Sequence, residues 1–305
     1  MTRHQKRILV GTASWTDPTL IKSGRFYPKG CSSAADRLGY YAEKFPLVEV
    51  NSSYYALPSI ANSELWVKRT PPEFTFNVKA FRLFTGHKTE TRVLPPPVRE
   101  HLSPDSAAKK SIGYRDVPDR SLDLLWRYFI EALEPLREGG KLGLVHFQFT
   151  PALSFSSDSL QHVTECRERM AQFALSVEFR HYSWFSSANR ERTLEFERQH
   201  DLVHTVVDSP QGFANTVRPQ WQVTNAQTAL VRLHGRNAAT WNIRSSVASD
   251  RFNYDYSDDE LTELAEPISE LAARASTVHV IFNNNYEDQG QRNALTLTQL
   301  LRSRR

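Results

Sequence analysis

SVEFRHYSW, residues 176–184, opens like a buried strand and ends in polar and aromatic residues. Side chains on a strand alternate faces, so Glu178 and Arg180 point one way while Val177 and Phe179 point the other. A strand inside a sheet tolerates a charged face only where that face meets other polar groups. The partners of Glu178 and Arg180 therefore have to come from other strands.

The rest of the chain supplies them. Strand-like runs are predicted at 7–12, 47–51, 74–79, 142–149, 175–180, 202–208, 229–234 and 278–283. Helical patterns fall between most of them, at 33–45, 59–69, 119–137, 157–172, 187–200, 258–275 and 291–302. In the third of these helices Leu122, Leu125, Phe129, Leu133 and Leu136 recur at three- and four-residue steps, and Gly139-Gly140 ends the run. Ser257 and Glu260 form a capping box at the start of the sixth, where Pro267 is expected to kink or split the helix. Segment 209–228 shows no helical period, so one crossover is expected to be irregular.

Strand and helix in repeated alternation predict an α/β fold, a (β/α)8 TIM-type barrel. An open doubly wound sheet competes, but no glycine-rich phosphate loop follows any strand. The 305 residues suit a single barrel domain over 1–305, with the Pro-rich stretch 84–118 after the third strand as a long loop excursion.

Alternation applied to every strand gives one apolar face and one that becomes polar toward the C-terminal end. The polar residues are Glu49 and Asn51, Lys79, His146 and Gln148, Glu178 and Arg180, Asp208, Arg232 and His234, and Asn283. In a barrel they converge on the C-terminal rim, where such folds hold their active sites. His146 lies deeper and suits a satisfied core histidine. Burying charge costs several kcal/mol per ion, on the order usual for such groups, so a ring this polar points to a ligand site more than to scaffolding. Aromatic residues flank the ring in the following loops: Trp15, Phe26, Tyr27, Tyr54, Tyr55, Trp184, Trp241, Tyr254 and Tyr256. They suit stacking on a base or sugar, or plain packing of loop on helix.

Composition sets the bounds. The net charge of +4 favours anionic ligands only mildly and does not itself indicate nucleic-acid binding. The apolar runs are far short of a membrane span, and the basic N-terminus turns directly into a strand pattern without the apolar stretch of a signal peptide. Cys31 and Cys166 are far apart with no CxxC, which suggests a reducing, cytoplasmic setting.

The motifs GTASW (11–15), FYP (26–28), VEVNSSYYALPS (48–59), FNVKAFRLFTGH (76–87), ALEPLREGGKLGLVHFQF (132–149), VEFRHYSW (177–184), VRLHGRN (231–237) and FNNNY (282–286) run in order along almost the whole chain. In them the sequence resembles the YecE-like family of unknown function, DUF72. The resemblance implies a TIM-type barrel and supplies no reaction. The chain departs from the family pattern at Thr150-Pro151-Ala152, where relatives carry Pro-Pro-aromatic, and at Asn285, where close relatives often carry Cys.

No GxSxG, catalytic-Cys signature or HExxH is present. Glu49, Glu178, Asp208 and His234 form a set able to hold a divalent metal. Three fixed cations in the same ring, Lys79, Arg180 and Arg232, favour an anion over that metal. The preferred reading is a site for a small phosphate- or carboxylate-bearing, hydroxylated ligand, with no cofactor predicted. Arg180 and Arg232 are the expected clamp, with Asn51, Tyr54, Gln148, His181, Trp184, Asn283 and Asn284 lining the ligand. Glu49, Glu178 or Asp208 is the expected general base and His234 an acid or base near neutral pH, while Lys79 stabilises negative charge or forms a Schiff base. Asp208, with no arginine on its own strand, is the carboxyl expected to hold a proton. A nucleic-acid binder or phosphodiester-cleaving protein and a non-catalytic sensor are the alternatives.

Overall fold

The strand-forming runs are short, β-branched or aromatic on one face, and bounded by turn residues. In the computed structural model, which describes residues 7–243, 245 and 248–304, they form eight strands. These are β1 Arg7–Ala13, β2 Leu47–Val50, β3 Thr75–Lys79, β4 Leu142–Gln148, β5 Leu175–Glu178, β6 Val203–Asp208, β7 Thr228–Leu233 and β8 Thr277–Phe282. All neighbours are parallel and follow chain order, and β1 pairs with both β2 and β8, which closes the barrel. The fold is the single-domain (β/α)8 barrel that the alternation predicts. Residues 1–6 of that predicted domain lie outside the described residues.

Helices occupy the outer ring at the expected places, from Ala34–Lys44 to Gln289–Ser303. Helix Asp258–Arg274 carries the Ser257–Glu260 capping box and runs through Pro267 as one element, so the expected split does not occur. Residues 209–227 form no helix or strand, as their lack of period implies. No helix among the described residues is long and apolar enough to cross a membrane.

Two apolar layers hold the barrel. The larger lies between strands and helices and takes Val48, Phe76, Val145, Val177, Val206, Val231 and Phe282. The smaller plugs the interior: Leu9, Ala13, Leu47, Leu144, Val203, Leu230 and Ile281. β4 reaches the correct parity through an irregularity. Phe76 pairs with Leu142 but Val78 pairs with Val145, so Gly143 and Leu144 both lie opposite Asn77. Asn77 Oδ1 accepts the Leu144 N–H at 3.0 Å, and a Cβ at position 143 would stand 2.7 Å from that same oxygen. Glycine is required there, and the bulge turns His146 and Gln148 inward.

The excursion after β3 has structure of its own. Thr89–Glu90 and Ser111–Ile112 pair antiparallel, with short helices between them. It packs beside the barrel on the long helix Asp119–Glu138. Phe84 stacks on Trp126 at 3.7 Å, and Ser121 Oγ donates to the Val98 carbonyl.

Candidate functional site at the barrel rim

Above the apolar plug the interior becomes polar in two tiers. The lower tier is neutral. His279 Nδ1 meets Asn77 Oδ1 at 3.0 Å, and His146 Nδ1 meets Ser176 Oγ at 3.0 Å. Burial, with Arg232 nearby, pushes His146 below its ordinary range. It lies deep as expected, but its Nε2 is buried without a hydrogen-bond partner, 3.5 Å from Glu178 Oε2, so it is not the fully satisfied core histidine.

The upper tier is ionic and centred on Arg232. Its Nε and Nη2 donate to the two oxygens of Glu49 at 3.1 and 2.6 Å, and its Nη1 donates to Glu178 Oε2 at 2.5 Å. Arg180 Nη1 donates to the other Glu178 oxygen at 3.1 Å, and His234 Nε2 lies 3.4 Å from that oxygen. Burial alone would push both carboxyls up. Arg232 reverses this, helped at Glu49 by His146 and Lys79 and at Glu178 by His234, and it holds both below the usual carboxylate range. Each carboxylate therefore stays ionised with its oxygens committed. Engaged oxygens and a lowered pKa make both carboxylates weaker proton acceptors than a free glutamate, and Arg232, wholly buried, spends its guanidinium on them. Burial pushes His234 down to about 4 despite Glu178 beside it, so it is neutral at pH 7 and does not titrate there as expected. Asn283 lies 2.8 Å from His234 Nδ1 and fixes the ring.

Two further cationic side chains, Lys79 and Arg180, stand at the mouth. Lys79 Nζ is half-buried, donates to Gln148 Oε1 at 3.0 Å and sits 4.6 Å from the centre of the Tyr54 ring. Among the described residues it forms no ion pair. Burial and then Arg232, with Arg180 adding to them, bring its pKa down to about 7 against the pull of Glu49 and Glu178. Arg180 turns its guanidinium over Trp241 at 5.0 Å. Asn51 keeps a buried side-chain oxygen with no hydrogen-bond partner.

Residues that sequence reasoning missed complete the mouth. The Arg82 guanidinium carbon lies 5.2 Å from the centre of the Tyr54 ring, and the His87 ring stands 5.4 Å from that ring. Burial pushes His87 down to about 4, and Lys79, Arg82 and Arg180 all add to the shift, which reports how near these cations are. Both residues lie in FNVKAFRLFTGH. A signal was available: that motif carries Lys79, and Arg82 and His87 follow it on the loop that leaves the rim.

Four expected site residues fall elsewhere, two of them, Asp208 and Asn284, for reasons of parity. On β6, Val207 lies in register with inward-facing Arg232, so Asp208 points outward. There it accepts from Arg236 Nε at 3.0 Å and from the Tyr256 hydroxyl at 2.6 Å. Arg236 is the arginine its own strand lacks. Asn284, one residue past inward Asn283, faces the helices and donates to Asn293 Oδ1 and the Tyr254 carbonyl. Trp184 is wholly buried, stacks on outward Phe179 at 3.7 Å and donates to the Leu153 carbonyl. His181 caps the turn 182–185 through Ser183, and its ring lies beside exposed Tyr182. No group of three or more His, Cys, Asp or Glu side chains suited to a metal ion occurs among the described residues.

Comparisons with known proteins agree with this architecture. The chain is 30% identical over 297 residues to the UPF0759 protein YunF of Bacillus subtilis, covering 96% of this chain and 94% of that protein. A solved DUF72 family protein from Thermotoga maritima is 30% identical with a TM-score of 0.75, covering 97% of this chain and 99% of that one. One from Enterococcus faecalis is 25% identical with a TM-score of 0.76, covering 97% and 95%. The family described as protein of unknown function DUF72 matches residues 9–305, and the chain belongs to it.

Proposed function

We propose that the rim binds a small phosphate- or carboxylate-bearing, hydroxylated ligand and acts on it by proton transfer, as an enzyme of the hydrolase or lyase type. The observation that carries this reading is the charge at the mouth. Glu49 and Glu178 are answered by Arg232 below, while Lys79, Arg82 and Arg180 gather round Tyr54 and His87 above. A mouth with cations in excess attracts an anion. Arg180 supplies the planar donor for it. Lys79, brought down to about 7, exchanges a proton near neutral pH. Asn51, Gln148 and Asn283 are suited to orient hydroxyls. The free thiols of Cys31 and Cys166 support a reducing, cytoplasmic setting.

The test is calorimetry with inorganic phosphate and a panel of sugar phosphates and hydroxy acids at low ionic strength. Arg180→Gln is expected to weaken the best ligand at least about 10-fold, the loss of one charge-assisted contact. Equal affinity in the variant rejects the reading. Tight binding with no turnover across the panel makes the protein a sensor.

A nucleic-acid ligand has one specific observation in its favour. Tyr55 and Tyr182, on the loops after β2 and β5, are 52% and 57% exposed, and such rings stack on bases. That reading requires affinity for single-stranded DNA that falls steeply with salt.

A further inference from the structure

We propose that the Lys79 amine is a covalent nucleophile, condensing with the carbonyl group of an anionic oxo compound such as an oxo acid or a ketose phosphate. The inference deepens the proposed function and rests on its anion site.

Position comes first. Nζ stands at the end of β3 in the barrel mouth, half-buried, held by the Gln148 side-chain oxygen and lying over the Tyr54 ring. A structural lysine in such a place pairs with a carboxylate, but the two within the barrel are already committed to Arg232 and Arg180. The charged groups felt at Nζ are Arg232 and Arg180, which oppose its charge, and Glu49 and Glu178, which favour it, with Tyr54 and neutral His87 from the loops. Burial and the two guanidinium groups favour the uncharged amine, the form that attacks. Arg180 lies where it can hold the anionic end of the same molecule.

The chemistry balances without a further reactant. The nitrogen lone pair forms a C–N bond to the carbonyl carbon as the C=O π bond opens, and a proton passes from nitrogen to oxygen. Loss of that oxygen as water leaves the imine, which takes up a proton to become an electron sink for cleavage or proton abstraction at the neighbouring carbon.

Reductive trapping tests it. Wild-type protein is incubated at pH 7.5 with pyruvate, dihydroxyacetone phosphate or uncharged dihydroxyacetone, reduced with borohydride and mapped by peptide mass. With its pKa at about 7, Lys79 has an uncharged fraction about 600-fold above that of an ordinary lysine at this pH. The expected result is an adduct concentrated on Lys79 over exposed Lys44 and Lys68, greater for the anionic probes and suppressed by inorganic phosphate. Lys79→Arg, which keeps the charge and whose melting is checked, is expected to lose it. Adducts spread evenly over surface lysines overturn the proposal. If phosphate binds by calorimetry but nothing traps on Lys79, the nucleophile falls and the anion site stands. Trapping on Lys79 that is equal for charged and uncharged probes removes the anion site and leaves the nucleophile.

Discussion

Arg232 reaches from β7 across the barrel to Glu49 on β2 and donates to both of its carboxylate oxygens, at 2.6 and 3.1 Å. Its remaining arm goes to Glu178 on β5. One guanidinium thus ties three strands that are far apart in sequence and not adjacent in the sheet. This is the answer to the charge carried by SVEFRHYSW: Glu178 is held by Arg232 from the far side of the barrel and by Arg180, two residues on, at 3.1 Å.

Arg232→Met is expected to cost about 3–5 kcal/mol in urea unfolding, because it leaves Glu49 buried without an ion-pair partner and Glu178 with Arg180 alone. Adding Glu49→Leu and Glu178→Met is expected to restore much of that loss, since an apolar replacement of a whole buried ion cluster is often neutral. A cost under about 1 kcal/mol for the single change rejects the scaffold role, given the penalty that attaches to an uncompensated charge.

Trp184→Ala separates packing from recognition. The ring is wholly buried and stacks on Phe179 with its planes 6° apart. Truncation is expected to destabilise by about 3–5 kcal/mol. Phosphate affinity, measured by calorimetry well below the melting point, is expected to stay within 2-fold of wild type, about 0.4 kcal/mol. A large selective loss of affinity returns Trp184 to the binding site.

Asp208→Asn tests the cluster on the outer face. The change removes the charge that holds Arg236 and keeps an acceptor for Tyr256. The expected cost is about 1–3 kcal/mol, as for a buried charge-assisted bond. Amide hydrogen exchange is expected to rise first at Gly235, whose N–H donates to the Tyr256 hydroxyl that this carboxylate holds, and at Arg236 beside it. Unchanged exchange there, with lost ligand binding, makes Asp208 a site residue after all.

Most of the barrel was legible because the strand period and the helix period are local properties. Each strand of the sequence reading has its counterpart, and the polar-inward parity holds on β2, β3, β5, β7 and β8. β6 misled because its polar residues His204 and Asp208 share the outward face, where Glu197 and Arg236 meet them, while Val203, Thr205 and Val207 point inward. Register against Arg232 decides it, and register is not local. The division of labour between Arg180 and Arg232 was equally hidden. Both stand inward at strand ends, and only the distance across the barrel shows that one is spent on Glu49 and the other is not. Arg82 and His87 act from a loop, where no periodicity marks a side chain as facing a site.

Acid is expected to weaken the fold in two stages. His234 and His279 are pushed down to about 4, by burial first, whereas an unfolded histidine titrates near 6.5. The unfolded chain binds protons first, so their contribution is full above about pH 6.5 and is lost as pH falls through about 4. Glu49 and Glu178 lie below the unfolded glutamate value near 4.3. Their contribution is present above about pH 4.3 and disappears only at lower pH. Urea midpoints measured from pH 8 to 3 are expected to fall gradually below 6.5 and steeply below about 4. A rise in stability between pH 7 and 5 contradicts this assignment.

Lys79 carries the opposite kind of cost, since its charge is held where the fold resists it. Burial first, then Arg232, lowers it to about 7, while an unfolded lysine titrates near 10.4. Between those values the folded state binds fewer protons than the unfolded one, so stability rises with pH across that window. Below about pH 7 the lysine is charged in both states and the folded protein bears the whole penalty. Replacing Lys79 with Met removes the charge and keeps a flexible apolar stem against the Tyr54 ring. Gln148 retains the Arg232 Nη1 donor at 3.2 Å. Lys79→Met is therefore expected to be more stable than wild type at pH 6 by on the order of 1 kcal/mol, the usual gain when a strained functional group is removed. The advantage is expected to shrink toward pH 10, where the wild-type amine is uncharged in the folded state. Paired urea titrations at the two pH values measure it. A variant less stable than wild type at pH 6 shows that Lys79 holds the rim together rather than being held in readiness by it.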